Sequence, residues 1–257
     1  MIRNSFVILD KLGLKSEKNL WNHGIINWED FIFARKIKGI SQLKRIYYQR
    51  MLAKAKRALY SFNSAFFNRR LPSTETWRLY EFFREDAVFI DIEVSGVTKH
   101  DNITVVGLFD GIETKTMIRG INLNLKALKK ELKHYKLLIS FNGSSFDIPY
   151  IRKRWPDLLP NVPHIDLRHM CSRIGLKGGL KDIEKKLGIK RQSEIVERIY
   201  GGDPFRLWRM YRGSGDDYYL NLLVSYNEED VINLKPIADY CYNKLKEVCE
   251  NEFRTNT

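Results

Sequence analysis

Short apolar segments separated by turn residues fill the sequence between residues 87 and 141, and they constrain the fold more than any other feature. Segments 87–94, 103–109 and 114–118 have the length and β-branched content of strands, and Asp110-Gly111 separates the last two. Asp-Gly between two apolar runs is typical of a β-hairpin. The chain is therefore expected to build a sheet that contains consecutive, hairpin-linked strands.

Further elements follow in an order that defines the fold class. A helix is predicted over 125–133, a strand over 136–141 and a short strand that ends at Asp166, and the chain from Phe146 onward is otherwise mostly helical. Strands that come before, between and after helices predict an α/β fold, in which helices flank a mixed sheet.

Residues 1–72 have a different pattern, which predicts a small all-helical domain. Ser16 is placed to cap a first helix that stops near Gly24. Segment 41–67 lacks Gly and Pro and repeats apolar residues, from Leu43 onward, at helical intervals. Because Leu71-Pro72 begins a turn-rich stretch, we divide the chain into a basic helical domain (1–72) and an α/β domain (73–257).

The charge of the chain is concentrated in that first segment. Lys and Arg number 44 and Asp and Glu 31, for a formal net charge of +13. Residues 1–72 hold 15 basic and 4 acidic side chains, whereas residues 73–257 hold 29 and 27. A basic arm beside a near-neutral body favours a polyanionic partner, most simply nucleic acid, and a solvated surface that only aids solubility is the alternative.

Composition excludes several other classes of protein. Hydrophobic residues make up 44% of the chain, which is enough for a packed core. There is no apolar run of about 18 residues, so no membrane span is expected, and the first ten residues do not resemble a secretory signal. Three cysteines are too few and too scattered for a disulfide scaffold or a zinc cluster. We expect a cytoplasmic protein, and a monomer is favoured.

Two carboxylates end the first strand in a position that suggests chemistry. Alternation along a strand places Asp91 and Glu93 on the same face as Ala87 and Phe89. Adjacent carboxylates at the end of an apolar strand repel each other, and a divalent cation would offset that repulsion. The alternative is that the strand simply ends there and both acids face water.

Two later motifs add further acidic residues. Asp147 follows the 136–141 strand and a turn, and it enters the next helix; a helix-terminal role favoured by the helix dipole is the alternative. Tyr226 and Asp230 are four residues apart in a segment that opens the last long helix, so they share one face. A core tyrosine beside a surface aspartate would look the same.

Together these motifs resemble the DEDD superfamily of 3′-5′ exonucleases, on a ribonuclease H-like fold with a mixed five-stranded sheet. The tyrosine of the last motif is similar to that of the DEDDy branch. Longer stretches resemble the YprB-like family. These are Arg70-Leu71-Pro72, Trp77-Arg78-Leu79-Tyr80, Ser140 to Pro149, His164-Ile165-Asp166-Leu167 and Gly178 to Gly188.

The resemblance implies a metal-dependent 3′-5′ exonuclease that acts on single-stranded nucleic acid, DNA more than RNA, and releases 5′-mononucleotides. Asp91, Glu93, Asp147 and Asp230 would hold two Mg²⁺ or Mn²⁺ ions, and Tyr226 would orient the attacking water. A tyrosine with a pKa near 10 is a poor base, so orientation is its better role.

The resemblance also implies substrate contacts. Val94, Ser95 and Gly96 correspond to contacts with the terminal nucleotide, and Asn142 and Phe146 to contacts with the next one, with turn formation and core packing as the alternative. A ribonuclease H-like endonuclease and a catalytically silent nucleic-acid-binding protein are the competing functions. The first would cut circular strands, and the second would lack metal ligands.

The segment 9–31 resembles a helix-hairpin-helix module. Such hairpins usually carry two glycines around an apolar residue, and here Lys11 stands in the first position and only Gly13 remains. The module is expected either to contact DNA or to serve as a structural cap.

Overall fold

A computed structural model describes residues 1–96, 102–191 and 203–254. The α-helices of these ranges are α1 (Leu14–Trp21), α2 (Trp28–Phe33), α3 (Gln42–Tyr60), α4 (Tyr80–Phe83), α5 (Leu125–Leu132), α6 (Asp147–Arg154), α7 (Leu167–Arg173), α8 (Leu180–Leu187), α9 (Pro204–Ser214) and α10 (Asp217–Arg254). Short 3₁₀ segments lie at Ile2–Asn4, Ser64–Phe67, Ser73–Leu79 and Arg84–Asp86. Within the described residues, no helix combines the length and the apolar content needed to cross a membrane.

The sheet has five strands in the order β3-β2-β1-β4-β5. The strands are β1 (Ala87–Val94), β2 (Ile103–Phe109), β3 (Thr114–Ile118), β4 (Leu137–Ser140) and β5 (His164–Asp166). β2 is antiparallel to both β1 and β3, and β4 is parallel to both β1 and β5. The predicted α/β class, the mixed five-stranded sheet and the helices at the N-terminus are therefore confirmed.

The two faces of β1 contact different cores, as the alternation predicted. Ala87 and Phe89 pack with the buried face of α10, whereas Val88 and Ile90 pack with α5 and α6 on the other side of the sheet. Since both faces are covered, the carboxylates that follow Phe89 on its face lie between the sheet and α10.

α10 starts earlier than the sequence indicated. The expected helix began at Tyr226, but α10 runs from Asp217 through Pro236 to Arg254, which places Tyr226 within its third turn. The predicted apolar stripe from Val231 to Ala238 is buried against the sheet. α10 carries two of the predicted site residues, Tyr226 and Asp230, and its packing on the sheet positions both of them.

Two details of the N-terminal helices differ from expectation. Ser16 lies inside α1, whose N-cap is Gly13, and α3 ends at Tyr60 rather than continuing to residue 67. Leu43, expected on the buried stripe of α3, is 83% exposed, and Tyr48 is buried instead. The buried stripe is rotated because α3 packs against α2 and against the 3₁₀ segment Ser64–Phe67.

The N-terminal helices share a core with the rest of the chain. One cluster of buried side chains runs from Phe6 and Trp28 through Leu59 and Phe83 to the α10 face of the sheet. A buried ion-pair network lies within it: the Arg78 guanidinium donates to Glu17 at 2.8 Å and to Glu75 at 2.7 Å. The division at residue 72 remains a prediction, but the apolar packing is continuous across it.

Candidate active site

Three of the predicted acidic residues meet at the end of β1. Asp91, Glu93 and Asp230 each offer a carboxylate oxygen, and these oxygens all lie within 4.8 Å of one another. Glu93 is 9% exposed and Asp230 is 7% exposed. Like charges brought this close and this far from water need compensation, and carboxylate oxygens at this spacing suit a hard divalent cation.

The backbone of β1 changes register at this point. Its pairing with β2 is regular from Phe89 to Glu93 and then shifts between Glu93 and Val94. An irregularity of this kind re-aims the side chains that flank it. The strand therefore ends its regular pairing at the residue that carries the second carboxylate.

Asp147, the fourth predicted acid, approaches β1 from α6. It is 5% exposed, and its Oδ1 accepts a hydrogen bond from the backbone N–H of Ile92 at 3.1 Å. Ile92 lies between Asp91 and Glu93 in the strand, so this bond fixes Asp147 at the same end of β1. Its oxygens are outside the 4.8 Å group, but its charge acts on both strand carboxylates.

Burial raises the pKa of every acid in this group. The pKa of Asp91 is raised well above its ordinary value by burial and then by the charges of Asp147, Glu93 and Asp230, and that of Glu93 by burial and then by Asp230 and Asp147. Burial raises the pKa of Asp147 and of Asp230 to about 6 each. The group is therefore costly to ionise without a cation.

Asn227 supports Asp91 from the neighbouring turn of α10. The Asn227 side chain is fully buried, and its Nδ2 donates to Asp91 Oδ2 at 2.8 Å. It reaches the strand because Gly107, the cross-strand partner of Asp91, has no side chain: a Cβ there would lie 2.1 Å from Asn227 Oδ1. This glycine is needed for space rather than for backbone freedom.

A partly buried arginine contacts the carboxylate group at Asp230. Arg191 donates through Nε and Nη2 to Glu184 at 2.6 and 2.8 Å, and the same Nη2 contacts Asp230 Oδ1. Asn233, one turn after Asp230, donates to Glu184 at 2.9 Å. Arg191 opposes the effect of burial on the pKa of Asp230, so part of the missing positive charge comes from the protein itself.

Tyr226 lies one turn before Asp230, as the spacing predicted. Its ring is 9% exposed, and the Lys181 ammonium and the Arg191 guanidinium lie 5.0 and 5.4 Å from its centroid. Burial, followed by the charges of Asp230 and Glu93, raises the pKa of its hydroxyl above 10. A hydroxyl with a raised pKa stays protonated and can orient a water or a phosphate oxygen, but it cannot act as an effective base at neutral pH.

The structure places the predicted substrate segment directly after the carboxylates. Val94 ends β1, and Ser95 is tied to Asn102 by two bonds: its N–H donates to the Asn102 carbonyl at 2.9 Å, and its Oγ accepts from the Asn102 N–H at 3.0 Å. Gly96 has a φ of 155°. Val94, Ser95 and Gly96 are each partly exposed, so they remain accessible beside the acids.

Asn142 and Phe146 flank the turn that delivers Asp147. Asn142 has a φ of 61°, its N–H donates to Asp166 Oδ1 at 2.7 Å, and its side-chain oxygen accepts from Arg168 at 2.9 Å. Phe146 packs on Tyr150, with ring centroids 5.5 Å apart. Turn formation and packing thus explain both residues structurally, and their predicted contacts with substrate remain proposals.

Sequence patterns pointed to the acids but missed the residues that support them. Asn227 sits between Tyr226 and Asp230 in the motif itself, and only its pairing with the gap at Gly107 reveals its role. Arg191 has no local signal, since its partners are 7 and 39 residues away.

A known protein family matches the part of the chain that contains the candidate site. The model of the RNase_H superfamily matches residues 88–242. A solved structure, the family B DNA polymerase from the hyperthermophilic archaeon Pyrobaculum calidifontis, is similar with a TM-score of 0.48 and 17% identity, over 60% of this chain and 24% of the polymerase. The chain thus spans about a quarter of that protein's length. None of the curated proteins matches the chain.

Proposed function

Because the chain belongs to the RNase_H superfamily, we propose that it is a 3′-5′ exonuclease of the DEDDy type, similar to the YprB-like family. It would remove 5′-mononucleotides from the 3′ end of single-stranded nucleic acid, with DNA favoured over RNA. The observation that supports this best is the convergence of Asp91, Glu93 and Asp230 within 4.8 Å, with Tyr226 one turn away from Asp230.

We infer that the site holds a pair of hard cations. The donors of the site are carboxylate oxygens, which hard cations prefer, and burial together with the neighbouring carboxylates raises the pKa values of Asp91 and Glu93, an effect that a bound cation would oppose. Asp91, Glu93 and Asp230 would hold Mg²⁺ or Mn²⁺, with Asp147 completing the set. When bound, these ions supply Lewis acidity that activates water and stabilises the leaving 3′ oxygen.

The remaining groups have roles that need no proton transfer from a side chain at neutral pH. Tyr226 keeps its hydroxyl proton and orients the attacking water. Asn227 holds Asp91 in place through its 2.8 Å hydrogen bond. Val94, Ser95 and Gly96, which follow the strand carboxylates directly along the chain, would contact the terminal nucleotide.

A matched set of strands tests this function. The protein is incubated with a 5′-labelled linear single strand, DNA or RNA, and with a circular single strand of the same composition, in Mg²⁺, Mn²⁺ or EDTA. We expect a ladder that shortens from the 3′ end, no cutting of the circle and no activity in EDTA. Cutting of the circular strand would establish the endonuclease alternative. Binding of the strands without any hydrolysis would establish the alternative of a catalytically silent nucleic-acid-binding protein.

Two substitutions control for contaminating nucleases. Asp91→Asn should abolish hydrolysis and leave strand binding intact, whereas Asp157→Asn, at an exposed carboxylate on the surface, should leave activity unchanged. Tyr226→Phe should lower kcat by about tenfold to a hundredfold, because the attacking water would lose a group that orients it, with little change in strand affinity. Activity that survives Asp91→Asn would contradict the assignment of the site.

A further inference from the structure

The N-terminal segment contains a cavity that is suited to an anion and is separate from the carboxylate group. It has a volume of about 540 Å³ and opens between α1, the turn at residues 38–40 and α3. We name it the lysine cavity, because within the described residues all of its charged lining side chains are lysines. They are Lys11, Lys15, Lys18, Lys38 and Lys44.

The walls of the lysine cavity are short of negative charge. Lys18 pairs with Glu252 at 2.6 Å. Among the described residues, no salt bridge involves Lys11, Lys15, Lys38 or Lys44. Several ammonium groups that face one cavity without a carboxylate between them repel each other, and an anion placed among them removes that repulsion.

The floor of the cavity is buried and mostly apolar. Tyr48 is 1% exposed, and its hydroxyl donates to the Asp10 carbonyl at 2.6 Å. The Lys44 ammonium lies 5.5 Å from the centroid of that ring, and buried Leu12 and Leu20 complete the base. A buried apolar floor beneath exposed ammonium groups suits a ligand with a sugar or base on one side and phosphates on the other.

We propose that the lysine cavity binds phosphates of the strand whose 3′ end enters the carboxylate group; this rests on the proposed function. Lys18, which lines the cavity, forms a salt bridge with Glu252 near the end of α10. The distance between the cavity and the carboxylate group can therefore be estimated along this helix. Glu252 and Asp230 are 22 residues apart on that helix, or about 33 Å at 1.5 Å per residue. A stacked strand rises about 3.4 Å per nucleotide, so about ten nucleotides span the gap.

Neutralising the cavity tests the proposal. The triple variant Lys15→Gln, Lys38→Gln and Lys44→Gln is compared with the unmodified full-length protein. Its affinity for a fluorescent single-stranded DNA of about 20 nucleotides, twice the spanning length, is measured by anisotropy in EDTA. We expect binding to weaken at least tenfold, and the slope of log affinity against log salt concentration to fall by about 2, since each lost phosphate contact removes about 0.7.

A second triple variant separates the cavity from general charge. Arg50→Gln, Lys54→Gln and Arg57→Gln remove the same charge from exposed positions of α3 that do not line the cavity. We expect at most a threefold loss of affinity. Equal losses in the two variants, with both folded by circular dichroism, would overturn the proposal, as would binding of inorganic phosphate to the unmodified protein as tightly as the strand.

Hydrolysis distinguishes this proposal from the proposed function. On the strand of about 20 nucleotides the cavity variant should show a raised KM and an unchanged kcat. On a trinucleotide, too short to reach the cavity, both constants should be unchanged. A loss of trinucleotide hydrolysis would overturn the proposal. If the unmodified protein hydrolyses no strand at all, the proposed function fails, while the anisotropy comparison still decides whether the cavity binds phosphates.

Discussion

Replacing Asp147 with asparagine should stabilise the metal-free protein at neutral pH, although it removes a predicted metal ligand. Asp147 is 5% exposed, and burial raises its pKa from 3.8 to about 6. Since one pKa unit corresponds to about 1.4 kcal/mol, ionising this carboxylate in the folded state costs about 3 kcal/mol. The amide oxygen of asparagine can still accept the hydrogen bond from the Ile92 N–H, so the substitution removes the charge and keeps the contact.

The expected gain depends on pH in a defined direction. Below about pH 4 Asp147 is protonated in both the folded and the unfolded chain, and the two proteins should differ little. Between about pH 4 and pH 6 the unfolded chain loses this proton while the folded chain retains it, so rising pH favours unfolding of the unmodified protein. Above about pH 6 the cost is complete. The advantage of Asp147→Asn should therefore appear across that window and then level off.

Urea unfolding in EDTA at several pH values measures this difference. Thermal unfolding gives a second measurement, because a gain of about 3 kcal/mol would raise the melting temperature by about 6–12 °C for a chain of this size. With Mg²⁺ added, the unmodified protein should recover its stability, and Asp147→Asn should respond much less. Asp157→Asn, at an exposed carboxylate, is the control and should show neither effect. A variant that is less stable than the unmodified protein in EDTA at neutral pH would refute the reasoning.

Two further outcomes follow from the site. Gly107→Ala places a Cβ 2.1 Å from Asn227 Oδ1, which should lower the free energy of unfolding by about 1–3 kcal/mol and kcat by tenfold or more. Denaturation and hydrolysis assays measure both. The control is Gly213→Ala, at a position in α9 with open space around it; it should leave kcat unchanged and should not lower the free energy of unfolding, because Ala is a better helix former than Gly. Arg191→Gln removes a cation that is hydrogen-bonded to the Asp230 carboxylate, so it should tighten Mn²⁺ binding, measured by calorimetry, by about tenfold. The control is Lys181→Gln, which removes a charge beside the Tyr226 ring. An equal effect of the control would attribute the change to net charge alone.

The sequence was most informative where one periodicity decides position. Period-two alternation predicted that Asp91 and Glu93 share one face of β1 with Ala87 and Phe89, and the structure shows that α10 covers this face. The i and i+4 spacing placed Tyr226 beside Asp230, even though α10 begins nine residues before the expected start. Both predictions needed only the local geometry of one element.

Positions that depend on two distant elements could not be predicted this way. Asn227 reaches Asp91 across the space left by Gly107 on β2, and Arg191 bridges α8 to α10. The exposure of Leu43 was missed for the same reason, since helical periodicity defines an apolar stripe but not the partner against which it packs. Tertiary contacts, rather than local propensity, determine these features.

The N-terminal segment shows why charge replacement is a better experiment than truncation. Residues 1–72 carry most of the net charge, but they also supply Glu17, which is fully buried and paired with the buried Arg78 at 2.8 Å. Removing one partner of a buried ion pair typically costs about 3–5 kcal/mol, and deletion would expose the apolar cluster as well. A truncated chain should therefore fail to fold, and its loss of strand binding would say nothing about the lysines. Substitutions at exposed lysines leave this core intact, so a change in binding can be assigned to their charge.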